Sequence, residues 1–351
     1  MSGAGVLSAG AGCGVPLESI GLFAGIEPAE LDRVEHFMAP FRAPAGEVLF
    51  SQGEDGDRLF AIGSGRVEVH GELAGGRTRR LASVLAGESL GEMAVLGGAR
   101  RSGTAVAATA VSGWLLHRSS LELLRLDPAP GAVELVARLT ELVLARLRAR
   151  YETISTELAG DDLGAGQALV RTTGAAAAHA HFSSRYLETL LCFRHFHDHR
   201  QIEQALHGAE AVELPAGAVA LAPAPQVEEL LLVIRGALDV SIRDSHSVRR
   251  VRLAGPGRFV GHVGALDGGP SPVVAHARDP VVIVRLDAAR VRAMLRDPAL
   301  PSRRFAAGLA EDLARALRQA ERPIARMEVA PPGTAPVGDA RSAQSRLDVA
   351  L

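Results

Sequence analysis

Between Gly87 and Thr104 the chain sets a carboxylate, a guanidinium and several backbone amides at spacings that could converge on one small ligand. The pattern predicts a turn opening at Gly91 into a short helix. The first N–H groups of such a helix have no intrahelical acceptor and suit a phosphate oxygen. Glu92, on that first turn, offers an acceptor that an alcohol such as a ribose 2′-OH can satisfy. The Gly97-Gly98 break lets the chain return, so that Arg101, nine positions after Glu92, can answer a phosphate charge through its planar fork. Ser102 adds a hydroxyl donor beside it. Together these groups provide what a cyclic phosphodiester on a ribose requires.

Short strands are needed to hold such a loop. Val48 to Phe50, Leu59 to Ile62, Val67 to Val69, Arg80 to Leu85, Thr104 to Ala110 and Gly113 to Leu116 are β-branched or alternating, with Gly-rich breaks between them. That pattern predicts a small antiparallel barrel or jelly roll. A short amphipathic helix is expected from Pro28 to Phe37, and helical patterning resumes at Ser120 to Leu124. From Val133 to Leu158 apolar residues recur at three–four spacing, with Arg146, Arg148 and Arg150 near the end; a helix of this length packs on a neighbour or on a twin.

The second half repeats the first. Pro44-Ala-Gly46 returns as Pro215-Ala-Gly217, 171 residues on, and Leu126-Asp127-Pro128-Ala129 returns as Arg296-Asp297-Pro298-Ala299, 170 residues on. Gly63-Ser-Gly65-Arg-Val-Glu-Val69 is echoed by Ile234-Arg-Gly236-Ala-Leu-Asp-Val240. The fold class expected is therefore α+β and mainly β: two antiparallel jelly rolls, each flanked by helices. The expected boundaries are a flexible arm over 1–18, a first domain over 19–158, a linker over 159–182, a second domain over 183–326 and a disordered tail over 327–351.

Gly91-Glu92, eight intervening residues and Arg101-Ser102-Gly103 resemble the cyclic-nucleotide-binding domain family of catabolite-activator-type regulators, protein kinase A regulatory subunits and cyclic-nucleotide-gated channels. Leu22 to Leu31, Pro44-Ala-Gly46-Glu47 and Gly53 to Phe60 look like the opening of such a domain, and the likeness covers about 20–155. The resemblance implies that Glu92 binds the ribose 2′-OH and Arg101 the exocyclic phosphate oxygen. Gly91, Met93, Ala94 and Ser102 complete the cradle. It implies cAMP or cGMP as ligand, the hydroxyl after the arginine being compatible with both. Gly103 stands where the family usually has Ala, which removes a methyl contact and some backbone rigidity. In the second copy Gly261 is kept, but His262 replaces the Glu and Ser271 the Arg. Without the guanidinium a buried phosphate would be poorly compensated, so this copy is expected to be degenerate, a structural, regulatory or dimerisation unit.

Other features point less far. Cys192, His195, His197 and His199, with His179 and His181 upstream, are the most tempting metal set, yet they lack a defined carboxylate or Cys partner set, and surface histidines are the favoured reading. Arg79-Arg80-Leu-Ala-Ser83 resembles a basophilic kinase site but falls on an expected strand. No Ser-His-Asp set, P-loop or dinucleotide motif stands out, so no enzyme, cofactor or metal is expected. All 38 basic residues are Arg, and a net charge of −2 argues against a chain that coats nucleic acid or anionic lipid. Two cysteines, no signal-peptide pattern and no long apolar run fit a cytoplasmic protein without membrane partners. The expectation is a sensor that signals to a separate protein effector through the helix after the first barrel, with a homodimer as an option. A DNA-binding regulator of the catabolite-activator type and a scaffold with a vestigial ligand site are the competing readings.

Overall fold

The computed structural model describes residues 13–72, 77–160, 178–179, 184–224, 226–243 and 248–327. In the first copy a short 3-10 turn (Leu17–Ser19) precedes α1 (Pro28–Glu35). Eight strands follow: β1 (Met38–Ala43), β2 (Val48–Phe50), β3 (Arg58–Ser64), β4 (Arg66–Glu72), β5 (Thr78–Leu85), β6 (Ser89–Leu90), β7 (Thr104–Ala107) and β8 (Val111–His117). The short α2 (Glu92–Gly97) lies between β6 and β7, and α3 (Arg118–Leu126) and α4 (Pro130–Gly160) leave the barrel. The second copy comprises β9 (Ala178–His179), α5 (Ser184–Leu187), α6 (His199–Ala205), β10 (Glu210–Leu214), β11 (Val219–Leu221), β12 (Glu229–Arg235), β13 (Leu238–Arg243), β14 (Val248–Ala254), β15 (Phe259–Val260), α7 (His262–Ala265), β16 (Val273–Ala277), β17 (Val281–Asp287), α8 (Ala288–Met294) and α9 (Leu300–Met327).

Strand order repeats between the copies. Sheets β1-β8-β3-β6 and β2-β7-β4-β5 face each other in the first, and β10-β17-β12-β15, extended by β9, and β11-β16-β13-β14 in the second. Neighbouring strands pair antiparallel throughout. The shared Pro-Ala-Gly corner makes the same bond twice: Gly46 N–H donates to the Ala107 carbonyl and Gly217 N–H to that of Ala277, both at 2.7 Å. Strand β1 was not evident in the sequence, because Pro40 interrupts it. As an edge strand it can tolerate a residue that donates no ladder bond.

Several expected boundaries shift. The arm expected over 1–18 is docked from residue 13 onward: Cys13 and Leu17 are buried, and the Trp114 indole donates to the Val15 carbonyl at 2.9 Å. Val15 sits where a side chain on Gly63 would be. The long helix begins at Pro130, three residues before the expected Val133, since proline suits a first turn whose N–H has no acceptor, and it runs to Gly160. Of the linker expected over 159–182, Ala178 and His179 pair with Val212 and Glu213 of β10. Residues 161–177 and 328–351 lie outside the described residues. Among the described residues no helix is long and apolar enough to cross a membrane.

Two cores result. The interior of the first barrel closes around Phe41, Phe50 and Phe60, whose rings meet at 5.3 and 5.7 Å. The second core is continuous across both copies. It takes Leu135, Leu139, Val143 and Leu147 from α4 and Leu309, Leu313 and Leu317 from α9, together with α1, Trp114 and the second barrel. Each long helix also crosses to the other copy's cassette, α9 lying on α2 and α4 on α7. Arg148 of α4 holds Asp267 through two bonds of 2.6 and 2.8 Å, and Arg249 of β14 holds Glu157 at 3.0 Å.

Because that core is shared, Leu313→Ala in the second copy should shift the urea midpoint reported by Trp114, the sole tryptophan, which lies in the first. The expected loss is about 2–5 kcal/mol. An unchanged Trp114 transition would show that the copies unfold independently.

Candidate functional site

Gly91 starts the site. Its backbone is left-handed (φ 92°, ψ 6°), and a side chain there would come within 2.5 Å of an Arg101 nitrogen and 2.8 Å of the Arg58 carbonyl. Only glycine lets β6 turn so sharply into α2. Gly261 repeats the conformation in the second copy (φ 96°, ψ 14°). The Ala94 amide closes the first turn of α2 on the Gly91 carbonyl at 3.2 Å, which leaves the amides of Glu92 and Met93 as the first-turn donors without a helical acceptor. Arg118, at the start of α3, pins α2 from behind by donating to the carbonyls of Ala94 and Gly56.

Glu92 is 1% exposed. One carboxylate oxygen, Oε1, takes a hydrogen bond and ion pair from Arg146 of α4, which also donates to the Ser89 carbonyl at 2.9 Å. The other, Oε2, is buried without a partner. Arg101 is 5% exposed, its guanidinium lying 4.1 Å over the Phe50 ring and donating to the Arg58 carbonyl at 2.7 Å. Its Nε and Nη1 are buried without acceptors. Burial lowers its proton affinity to about 10, against the pull of Asp57, so it remains a cation at neutral pH. Ser102 is exposed at the rim.

These groups line one cavity of about 1050 Å³ that also takes in Leu81 and Ser83 of β5, Leu142 of α4, and Leu317, Arg318 and Glu321 of α9. All six residues expected from the sequence, Gly91, Glu92, Met93, Ala94, Arg101 and Ser102, reach it. Ala94 does so with its amide already engaged. Arg146 was visible in the sequence only as one of three clustered arginines. The contribution of α9 had no local signal, since it comes from the other copy.

Gly103 is more than a missing methyl. A Cβ there would lie 2.8 Å from the His70 carbonyl, 3.0 Å from Val69 and 3.2 Å from Leu81, so β4 packs where the family's methyl would sit. In the second copy Ser271 turns back on its own strand, bonding the Val273 carbonyl at 3.1 Å. His262 is 2% exposed, with Nε2 3.4 Å from Asp312 of α9, and Asp312 also accepts from the Phe259 amide at 2.9 Å and from Arg258 at 3.3 Å. Burial holds His262 below an ordinary imidazole, with Asp312 opposing. Burial would raise the Asp312 carboxyl, but His262, Arg252 and the Phe259 amide outweigh it and hold the carboxyl low. The turn itself is broken at Val263 and Gly264, which leave helical geometry.

Of the histidines singled out in the sequence, His181 lies outside the described residues. His195 and Arg194 both bond Glu311 of α9 at 2.7 Å, and His199 faces Asp198 and Glu188. Cys192 is a buried free thiol pushed up by burial. Among the described residues no group of three or more His, Cys, Asp or Glu is placed to hold a metal ion.

Comparison with known proteins follows the same division. The family described as "Cyclic nucleotide-binding domain" matches residues 40–126 and again 211–297. The chain is 30% identical over 105 residues to a CRP-like cAMP-activated global transcriptional regulator of Mycobacterium tuberculosis, 30% of this chain and 47% of that protein. It is 33% identical over 130 residues to the acetyltransferase Pat of Mycolicibacterium smegmatis, 37% of this chain and 38% of that protein. The chain thus spans under half the length of these curated relatives. A cyclic nucleotide-binding domain from Methylobacillus flagellatus, solved as a crystal structure, is 27% identical, with a TM-score of 0.36 over 43% of this chain and 81% of that one.

Gly103→Ala should destabilise the fold by about 1–3 kcal/mol through overpacking against β4. A urea midpoint equal to or above that of the parent would show that β4 has room for the methyl.

Proposed function

We propose that this chain, in which two domains of the cyclic nucleotide-binding family stand in tandem, is a sensor that takes one cyclic nucleotide, cAMP being the first candidate, in its first copy only. One observation carries this reading: Glu92 Oε2 and the Nε and Nη1 of Arg101 are buried polar atoms without partners at the edge of a single cavity. An unpartnered buried charge is costly, and a ribose hydroxyl with a cyclic phosphate would satisfy both ends. In this reading Glu92 accepts from the 2′-OH, Arg101 donates to an exocyclic phosphate oxygen, and the Glu92 and Met93 amides with Ser102 complete the cradle. In the second copy the guanidinium is missing: Ser271 stands in its place and bonds the Val273 carbonyl, while His262 is buried 3.4 Å from Asp312.

The signal leaves through α4. Arg146 joins Glu92 to this helix through Oε1, and a ligand hydroxyl on Oε2 draws on the same carboxylate charge and so alters that hold. Because α4 is tied to the second copy at Asp267 and Arg249, a displacement there must also move that copy. We read the output as contact with a separate protein rather than catalysis or DNA binding. Supporting this, α9 buries Leu309, Leu313 and Leu317 in the shared core and is not free to enter a groove.

Calorimetric titration with cAMP and cGMP should give one site per chain, weakened about 10- to 150-fold by Arg101→Ala, the loss of a hydrogen bond to a charged group. Ser271→Ala should leave binding unchanged. Two sites per chain, or equal binding in the Arg101 variant, would overturn the assignment.

A further inference from the structure

We propose that the second copy completes the first copy's ligand site with a carboxyl, Glu321 of α9, and that an anionic ligand binds with this carboxyl protonated, so that binding takes up a proton. The inference rests on reading the cavity as a cyclic-nucleotide site.

Leu317 and Arg318 stand four and three residues before Glu321 on α9, so each neighbours it on the helix surface, and all three line the cavity beside Glu92. The helix is fixed in that position. Ala314 lies so near Gly97 of α2 that an added Cβ would be 3.2 Å from it, Arg150 donates to the Ala320 carbonyl at 3.1 Å, and further back Asp312 holds the Phe259 amide. Glu321 is therefore a fixed wall of a site built mainly from the other copy.

Glu92 and Glu321 are two of the five carboxyls that line this cavity, with Glu88, Glu134 and Glu141, and several of its cations are held by other groups. Arg146 divides its fork between Glu92 and the Ser89 carbonyl. Arg150 places Nε on Ala320 and a terminal nitrogen 3.7 Å from Glu157, but neither terminal nitrogen makes a hydrogen bond. At the rim, Glu134, Arg138, Glu141 and Arg296 pair among themselves. Burial, reinforced by Glu92, pushes the Glu321 carboxyl up to about 7, while Arg146, Arg150 and Arg318 oppose the shift. Near neutrality the group is thus divided between its two forms. The other titratable clusters on α9, His195 with Glu311 and His262 with Asp312, lie nine or ten residues earlier, roughly 13–15 Å along the axis.

A cyclic phosphodiester adds one negative charge to this cavity, and that charge favours the neutral form of Glu321. Ligand and proton therefore assist each other. The protonated acid lowers the negative charge facing the phosphate, and it offers a donor as well as an acceptor to the ligand. The sign follows: affinity is highest below the carboxyl's ligand-free value and falls as pH rises through it. Arg101 keeps its charge throughout, so the slope belongs to the carboxyl.

The test is calorimetry of the full chain with cAMP from about pH 5.5 to 8.5, in buffers of differing ionisation enthalpy so that protons are counted. The expected result is uptake of up to about one proton per ligand and an affinity falling by up to about tenfold per pH unit above neutrality. Glu321→Gln, neutral at every pH, should flatten the profile, whereas Glu321→Asp should retain a slope. Binding that needs Arg101 but is flat with pH, or a slope that persists unchanged in the Gln variant, would overturn the role of Glu321 alone. No binding of cAMP at any pH would overturn both this role and the site assignment.

Discussion

A carboxylate that is 1% exposed has to be compensated, and the burial of Glu92 is the constraint around which the first copy is arranged. Gly91 must be left-handed to place it, Arg118 must hold α2 from behind, and Arg146 must reach in from α4 to meet one of its oxygens. That last contact joins the cassette to a 31-residue helix. The Glu92 carboxylate and α4 therefore share one contact, Arg146.

The two long helices extend that coupling through the chain. Since α4 crosses to the second cassette and α9 to the first, neither barrel has its exit helix to itself. Small residues make the close approach workable: Ala314 sits against Gly97, and Gly308 lies so near the Cys192 carbonyl that a Cβ would be only 2.0 Å away. The apolar faces of both helices merge into one core, so the copies cannot separate without exposing Leu139 and Leu313. The three–four pattern from Val133 to Leu158 asked for a packing partner, and α9 of the same chain supplies it.

What the sequence disclosed follows from how local each feature is. Gly91, Glu92 and Arg101 were legible because the loop that carries them is contiguous, and the repeat was legible because Pro-Ala-Gly and Asp-Pro-Ala corners are fixed by backbone geometry. Strand β1 was hidden by Pro40, which an edge position excuses. The docking of residues 13–17 was masked by small-residue composition, because the signal lies in what Val15 meets, Gly63 and Trp114. Arg146 and Glu321 had the right residue types but no local pattern. Their meaning comes from a crossing of helices more than fifty residues from the cassette.

The second cassette shows what happens when the same backbone loses its charges. Gly261 still turns left-handed, so the fold remembers a cradle, but His262 is drawn onto Asp312, and Asp312 is also the residue that caps the Phe259 amide and meets Arg258. Where Glu92 of the first copy meets Arg146 of α4, His262 here lies against Asp312 of α9. Asp312 ties α9 to the Phe259 amide, and α9 carries Leu317, Arg318 and Glu321 to the first copy's cavity. His262, which stands where the first copy has Glu92, is thus part of the contact that seats α9 across the other copy.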